Sequence, residues 1–312
     1  MVLSVGWNKI ATCLQAGLFI ALLCAGAGVA QANNAAPDSS ASLRAKYAAA
    51  QDRLSHNQFQ KPLYMDSSET MGGVSGDIYA LAQHPFATVE AALNSPDNWC
   101  DILDLHLNTK YCRASTGVEG SVLNVSIGKK YDQPLNDAYR VVFAYRVAIQ
   151  TPDYLQVKLD ADKGPLSTHD YRIVLEAIPL SNGQTFIHLS YSYAYGLAGR
   201  LAMQTYLGTI GSDKVGFTGG DIQADGQHSP YIGGVRGVVE RNTMRYYLAI
   251  EAFLDALSGS PQARLGKRLH DWFAASELYP RQLHEMELGA YLDMKHSEYL
   301  RQQVERPGAE AG

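Results

Sequence analysis

The chain lacks the basic stripe with interleaved aromatics that a nucleic-acid surface needs. Its 26 Lys and Arg are outnumbered by 31 Asp and Glu, so nucleic acid is not an expected partner. The familiar catalytic signatures are missing too. Gly73-Val74-Ser75-Gly76 does not have the spacing of a nucleophile elbow, and Gly233-Gly234-Val235-Arg236-Gly237 is neither a phosphate loop nor a dinucleotide fingerprint. His284-Glu285 is followed by Leu288 where a zinc-protease helix carries its second histidine. Ser167, Thr168, His169 and Asp170 are triad-type residues, but immediate neighbours cannot converge as a triad requires. No catalytic residue, no cofactor and no metal site is expected from these absences. Internal repeats are absent as well.

Long apolar runs are equally scarce, and the chain has one, at its start. A single charge, Lys9, precedes an uncharged stretch from Ile10 to Ala30, which closes on the small-x-small triplet Ala30-Gln31-Ala32. That pattern is a cleavable signal peptide over residues 1–32. A spanning helix is the rival reading, but it wants ~20 predominantly apolar residues, and this run fades into Ala and Gly. Export to the periplasm or beyond follows. Cysteine is also sparse, with four residues, of which Cys13 and Cys24 leave with the signal. Cys100 and Cys112 remain and are expected to form a disulfide in an oxidising compartment. A metal or thiol pair, with Asp104 and His106 between the cysteines, is the alternative.

Tyrosine is what the chain has in excess, 19 residues against 8 Phe and 3 Trp. Rings that are apolar in body and polar at the tip suit cavity walls. Residues 33–43 are small and polar and read as a disordered leader, with a short helix near 44–57 completing a segment that runs to residue 60. Asp77–Gln83 reads as a strand, and Pro85 then opens a helix carrying Phe86, Val89 and Leu93 up to the breaker Ser95-Pro96-Asp97. Strands are expected over 103–112, 122–129, 139–150, around Leu155, Val157 and Leu159, and over 171–180 and 184–195. Asn182-Gly183 between the last two is a strong hairpin signal. Helical character over 197–207 and a glycine-rich loop over 208–237 precede a long helix, Val238–Leu257, stopped by Gly259 and Pro261. Residues 258–304 read as two or three amphipathic surface helices, and 305–312 as a disordered tail.

Two residue sets stand out as candidate ligand contacts. In the hairpin, a two-residue turn places Ile187, Leu189, Tyr191 and Tyr193 opposite Ile178, Glu176, Val174 and Arg172, a wall containing charge. A register one residue away sets them beside Ala177, Leu175, Ile173 and Tyr171, an apolar and aromatic wall with His188 and Ser190 facing outward, and this grouping is preferred. Tyr145, Tyr171, Tyr191 and Tyr193 are thus candidate cavity residues. Arg241 and Arg245, four apart on the long helix, share a face and could hold a carboxylate or phosphate head. The alternative is that they pair with Glu240, with sheet carboxylates or with the C-terminal helices.

The order of strand, helix after a proline, about six to seven antiparallel strands and one long C-terminal helix resembles the helix-grip fold of the START-related, polyketide-cyclase and plant-allergen superfamily. The likeness is carried by Asp77–Gln83, His84-Pro85-Phe86 to Val89 with Trp99, the Asn182-Gly183 hairpin and the helix from Glu240, within a domain over 61–257. The chain is also similar to uncharacterised exported proteobacterial proteins through Trp99-Cys100-Asp101-Ile102-Leu103, Gly164-Pro165-Leu166, Glu240-Arg241-Asn242 and Met244-Arg245-Tyr246-Tyr247. The resemblance implies an α+β domain in which a curved antiparallel sheet wraps a long helix, with a C-terminal helical extension. It further implies that an apolar or amphipathic small molecule, lipid-like in character, sits in the cavity. Two other functions are carried beside it: a cyclase- or hydratase-type enzyme using His188 or Glu176 in the cavity, and an envelope-associated protein whose residues 262–304 dock a partner protein or a membrane surface.

Overall fold

The computed structural model describes residues 39–197, 199–201, 214–219 and 231–304. The export segment 1–32, most of the 197–207 helix, much of the glycine-rich loop and the tail beyond 304 lie outside them. Eight strands, all antiparallel to their neighbours, make one open sheet. They are β1 (Leu63–Glu69), β2 (Gly73–Ala82), β3 (Thr109–Gly117), β4 (Gly120–Ile127), β5 (Tyr139–Thr151), β6 (Tyr154–Lys163), β7 (Thr168–Pro179) and β8 (Thr185–Tyr195). Their order is β1-β2-β8-β7-β6-β5-β4-β3. Helices α3 (Phe86–Leu93) and α4 (Pro96–Leu103) connect β2 to β3, and the long helix α5 (Gly234–Asp255) follows β8. This is the α+β class expected, with one more strand than the upper count.

The additional strand is β1, whose second half, Asp66-Ser67-Ser68-Glu69, carries no apolar alternation to betray it. A second difference concerns residues 96–103, which are helix up to Leu103. The Ser95 side chain accepts from the Asn98 amide, and Pro96 fills the first helical turn, so the residues that stop α3 also start α4. Strand β3 consequently begins at Thr109, six residues later than its expected start at Leu103.

Alternation divides the sheet into two apolar faces. The inner face carries Val74, Ile78, Val157, Leu159, Ile173, Leu175, Leu189 and Tyr191, packed with Val239, Leu248 and Ala252 of α5 in one core. Helix α5 comes closest at β2, where a Cβ added to Gly76 would stand 2.5 Å from Thr243 Oγ1. Gly76 lets helix and sheet backbone meet there. Register shifts at Thr109/Tyr111, Val147/Ile149 and His169/Arg172 mark bulges, and bulges bend and twist the strands that carry them.

The outer face is apolar only in part. Tyr64, Tyr79, Tyr154, Ile178 and Phe186 gather there under helices α1 (Ser39–Ala49) and α2 (Gln51–Ser55), with Leu43, Ala50 and Leu54 completing the cluster. Helix α1 starts inside the stretch expected to be irregular.

The C-terminal helices are α6 (Pro261–Glu277), the short α7 (Pro280–Leu283) and α8 (Leu288–Val304). They are not surface helices. Leu269, Trp272, Leu283, Tyr291 and Met294 belong to the inner core. Trp272 Nε1 donates to the Arg245 carbonyl and the Tyr291 hydroxyl to the Leu105 carbonyl. Their apolar stripe is spent on this chain's own core, which periodicity cannot distinguish from a stripe awaiting a partner. Lys110 and Glu298 form an ion pair of 2.9 Å that is almost fully enclosed, and Lys295 joins it at 2.7 Å. As expected, Cys100 and Cys112 are disulfide-bonded, which joins α4 to β3 and leaves neither of the two as a thiol to ligate a metal. Among the described residues no helix is long and apolar enough to cross a membrane.

Candidate functional site

The hairpin decides which side chains face α5. Gly183, at φ 81°, closes a three-residue loop in which its N–H donates to the Leu180 carbonyl and Leu180 N–H donates to the Gln184 carbonyl. That loop pairs Ala177 with Ile187, Leu175 with Leu189 and Ile173 with Tyr191. The all-apolar register is therefore the one adopted. The bulge at His169/Arg172 then brings Tyr171 beside Tyr193, with ring centroids 5.2 Å apart and nearly parallel. Tyr191 lies 5.7 Å from Tyr193 and 6.3 Å from Tyr171, and Phe143 meets the Tyr171 edge at 6.5 Å.

Three of the four tyrosines expected to line a cavity thus form one wall. The fourth, Tyr145, is buried further along the same face, and its hydroxyl donates to the Leu93 carbonyl at 3.2 Å. The Tyr171 hydroxyl pairs with Thr168 Oγ1 at 2.6 Å. Burial raises the phenol pKa of Tyr145, Tyr171, Tyr191 and Tyr193, so each is a neutral group able to donate.

Helix α5 and the α4–β3 turn close the other side of this wall with residues that sequence reasoning did not select. The Tyr246 ring meets Tyr191 edge-on at 5.2 Å and His106 at 5.0 Å. The Asn242 amide, one helical turn before Tyr246, is within reach of both the His106 ring and the Tyr191 hydroxyl. Tyr246 and Asn242 are half-buried. The hydroxyls of Tyr193 and Tyr246 have no hydrogen-bond partner among the described residues.

Arg241 and Arg245 have protein partners of their own. Arg241 donates to the Val215 carbonyl at 3.0 Å. Arg245 bonds Glu285 at 2.8 Å and the Leu283 carbonyl at 3.4 Å, which is the pairing with the C-terminal helical region weighed against a ligand role. Glu285 also takes Lys130 and, at 3.4 Å, Lys214. Burial, reinforced by the Arg245 charge, brings the Lys130 ammonium down to about 8. Glu240 accepts from Phe217 N–H, Thr218 N–H and the Ser67 hydroxyl.

His188 and Glu176, the candidate acid-base pair, are on the outer face and do not enter the α5 side. A row of paired residues crosses five strands there: Gln156, Glu176, His188, Tyr79 and Tyr64. His188 Nδ1 meets Glu176 at 2.7 Å and Nε2 meets Asp77 at 2.9 Å. Its ring stacks on Tyr79 at 4.2 Å, Tyr79 on Tyr64 at 4.7 Å, and the Arg53 guanidinium caps Tyr64 at 3.9 Å. Glu176 also accepts from the Tyr154 hydroxyl. Burial opposes the His188 charge, but hydrogen bonds to Asp77 and Glu176 outweigh it and raise the pKa.

Other clefts among the described residues are of a different kind. One of about 450 Å³ on the outer side is lined by Arg146, Lys158, Asp160, Asp162 and Arg172, and another of about 310 Å³ between α4, α6 and α8 by Asp104, Arg268, Lys295 and Glu298. Both hold charges of the two signs, already partly paired through Arg146–Asp160 and Lys295–Glu298.

No protein-family model matches the chain, and no curated protein sequence does either. Partial superpositions on solved structures exist. Ara h 8.0201 aligns at 11% identity over 62% of this chain and 99% of its own, with a TM-score of 0.34. Norcoclaurine synthase from Thalictrum flavum aligns at 11% identity over 50% and 91%, with a TM-score of 0.30. A conserved protein from Geobacillus kaustophilus aligns at 14% identity over 46% and 86%, with a TM-score of 0.30. The architecture above rests on strand order and helix contacts, independently of these partial overlaps.

Proposed function

We propose that this chain is an exported binding protein of helix-grip architecture that holds a lipid-like or other apolar small molecule between the tyrosine wall of β7–β8 and helix α5. The observation that carries the reading is the aromatic wall on the α5-facing side, where the rings of Phe143, Tyr171, Tyr191 and Tyr193 meet and the phenols are held neutral by burial. Apolar walls with few converging polar groups suit such a ligand. Export is supported by the N-terminal segment and by the Cys100–Cys112 disulfide, which an oxidising compartment maintains. The enzyme reading is weaker because His188 and Glu176 face away from α5, and the docking reading because α6 and α8 are packed into the chain's own core.

The test is native mass spectrometry on the full chain expressed with its N-terminal segment in a Gram-negative host and recovered from the periplasm. The expected species begins at Asn33 and carries a defined amphiphile that organic extraction removes. Protein that stays cytoplasmic with residues 1–32 attached overturns export. Protein that is repeatedly empty and takes up no anilinonaphthalene sulfonate overturns binding.

A further inference from the structure

Between β4 and β5 the chain carries two adjacent lysines in opposite settings. Lys129 is exposed, with its ammonium 5.4 Å from the Tyr131 ring centre, and hydrogen bonding to that phenol raises its pKa. Lys130 is half-buried and borders a cleft of about 450 Å³ between this loop and α8. Tyr131, Met286, Ala290 and Met294 give the cleft a largely apolar lining, and Asp132 and Asp293 add negative charge to it. The loop that forms one wall is braced at two points. The Gly128 carbonyl accepts from the Asn108 side-chain amide at 2.6 Å, and Arg301 of α8 bonds Asp132 at 2.9 Å.

Lys130 Nζ meets Glu285 Oε1 at 2.5 Å, and the lysine side chain keeps 27% of its surface accessible against 9% for the glutamate. Arg245 of α5 bonds the same oxygen at 2.8 Å, and Lys214 stands 3.4 Å from Oε2. One carboxylate therefore faces three cations and cannot balance them all. Of the three, Lys130 is the one that borders the cleft. Burial first, then the Arg245 charge and more weakly that of Arg241, favours its neutral amine, while Glu285 opposes them. A desolvated lysine beside another cation is the setting in which an amine becomes a nucleophile.

From this geometry we infer that Lys130 is a covalent capture site for uncharged, apolar aldehydes, which it holds as a Schiff base with Glu285 as counter-ion. The Nζ lone pair attacks the carbonyl carbon, a C–N bond forms, and the carbonyl π electrons move to oxygen. A proton passes from nitrogen to that oxygen, giving a carbinolamine. Loss of water from it leaves the imine, which takes one proton from solvent. The net change is ammonium plus aldehyde to protonated imine plus water, with no oxidant or reductant consumed. The single positive charge is kept, so the pairing with Glu285 survives the reaction. The carbon body lies against Met286, Met294 and the Tyr131 ring, while Asp132 and Asp293 disfavour anionic aldehydes. This site is separate from the inner-face tyrosine wall, and either can fail without the other.

The test is to incubate the full chain with octanal, trap imines with sodium cyanoborohydride and map the modified lysines by peptide mass spectrometry. Lys130 is expected to react about tenfold faster than Lys129, its exposed neighbour and internal control. Its labelling should rise to half its maximum near pH 8, while that of Lys129 is still climbing at the alkaline end of the series. Glyoxylate, an anionic aldehyde, should label Lys130 no faster than Lys129. Lys130→Met should remove the fast-reacting fraction and leave the slow labelling of the other lysines as it was. Equal rates for Lys130 and Lys129 with octanal overturn the capture site, as does a fast fraction that persists in Lys130→Met. Glyoxylate labelling Lys130 as fast as octanal does overturns the apolar class. If Lys130→Met does not fold, the wild-type map decides, because it reads each lysine separately.

Discussion

His188, half-buried, and His106, buried, sit in opposite electrostatic settings. His188 lies between two carboxylates on the outer face, both nitrogens bonded and its ring stacked on Tyr79. His106 lies among cations on the inner side, one nitrogen bonded and the other not. A saturated polar cluster behaves as structure, since every group has found its partner at home. Residue type made His188 a candidate for acid-base work, and its saturated bonding to Asp77 and Glu176 makes it structural.

Reduction of the Cys100–Cys112 disulfide should have the largest effect, because it releases the loop that carries His106. A loop of this size is worth ~3 kcal/mol in the chain-entropy model, to be read as the drop in urea-unfolding free energy on adding dithiothreitol. Binding of anilinonaphthalene sulfonate should weaken as well. Undiminished probe binding in the reduced protein would show that the site does not depend on how that turn is held.

Removing the saturated histidine comes next. His188→Leu leaves Asp77 and Glu176 facing each other without the charge between them. The cluster retains some exposure, so the expected loss is about 2 kcal/mol, less than a fully enclosed pair would cost. Probe binding should stay unchanged, because the residue is on the far side of the sheet. If His188→Leu abolishes binding with its fold intact, the ligand site is not confined to the α5 side of the sheet.

The smallest effect lies in the pH profile of stability, where the two rings act with opposite sign. His188 has a folded pKa above its ordinary 6.5, so its contribution is complete below that value and is lost as pH rises through the folded pKa. His106 has a folded pKa well below 6.5, so the unfolded chain binds the proton first and stability is lost as pH falls below 6.5. Glu176 is also held low: its burial is outweighed by hydrogen bonds from His188 and Tyr154, so its contribution disappears only as pH drops through its folded value, below 4.5. Urea unfolding from pH 5 to 8 should show His106→Phe flattening the acid side and His188→Leu flattening the alkaline side, each by about 1 kcal/mol. Identical profiles for the two variants would erase the contrast.

Much of the frame was legible in one dimension. The preferred hairpin register followed from grouping Ile187, Leu189 and Tyr191 with apolar partners, and the structure adopts it because a three-residue loop ending at Gly183 enforces that pairing. Strand β1 was not legible, because its polar half pairs with β2 through backbone bonds that leave no trace in side-chain alternation. Ser95-Pro96 read as a stop and proved to be a start as well. Arg241 and Arg245 were found by spacing, yet spacing cannot say that Glu285, forty residues on from Arg245, would take the second of them.

What the sequence determined by itself is local: the periodicity that makes α5 a helix, the tyrosine-rich strands, the cysteine pair and the uncharged apolar run near the N-terminus. These depend on neighbours a few residues apart, where side-chain spacing and turn chemistry are decisive. Only the tertiary structure decided which polar groups end without a partner. His106 meets Tyr246 from α5, and its turn is fixed by Lys295 from α8, 189 residues away. Whether a buried donor is satisfied depends on every element that packs around it, and that sum exists only once the chain has folded.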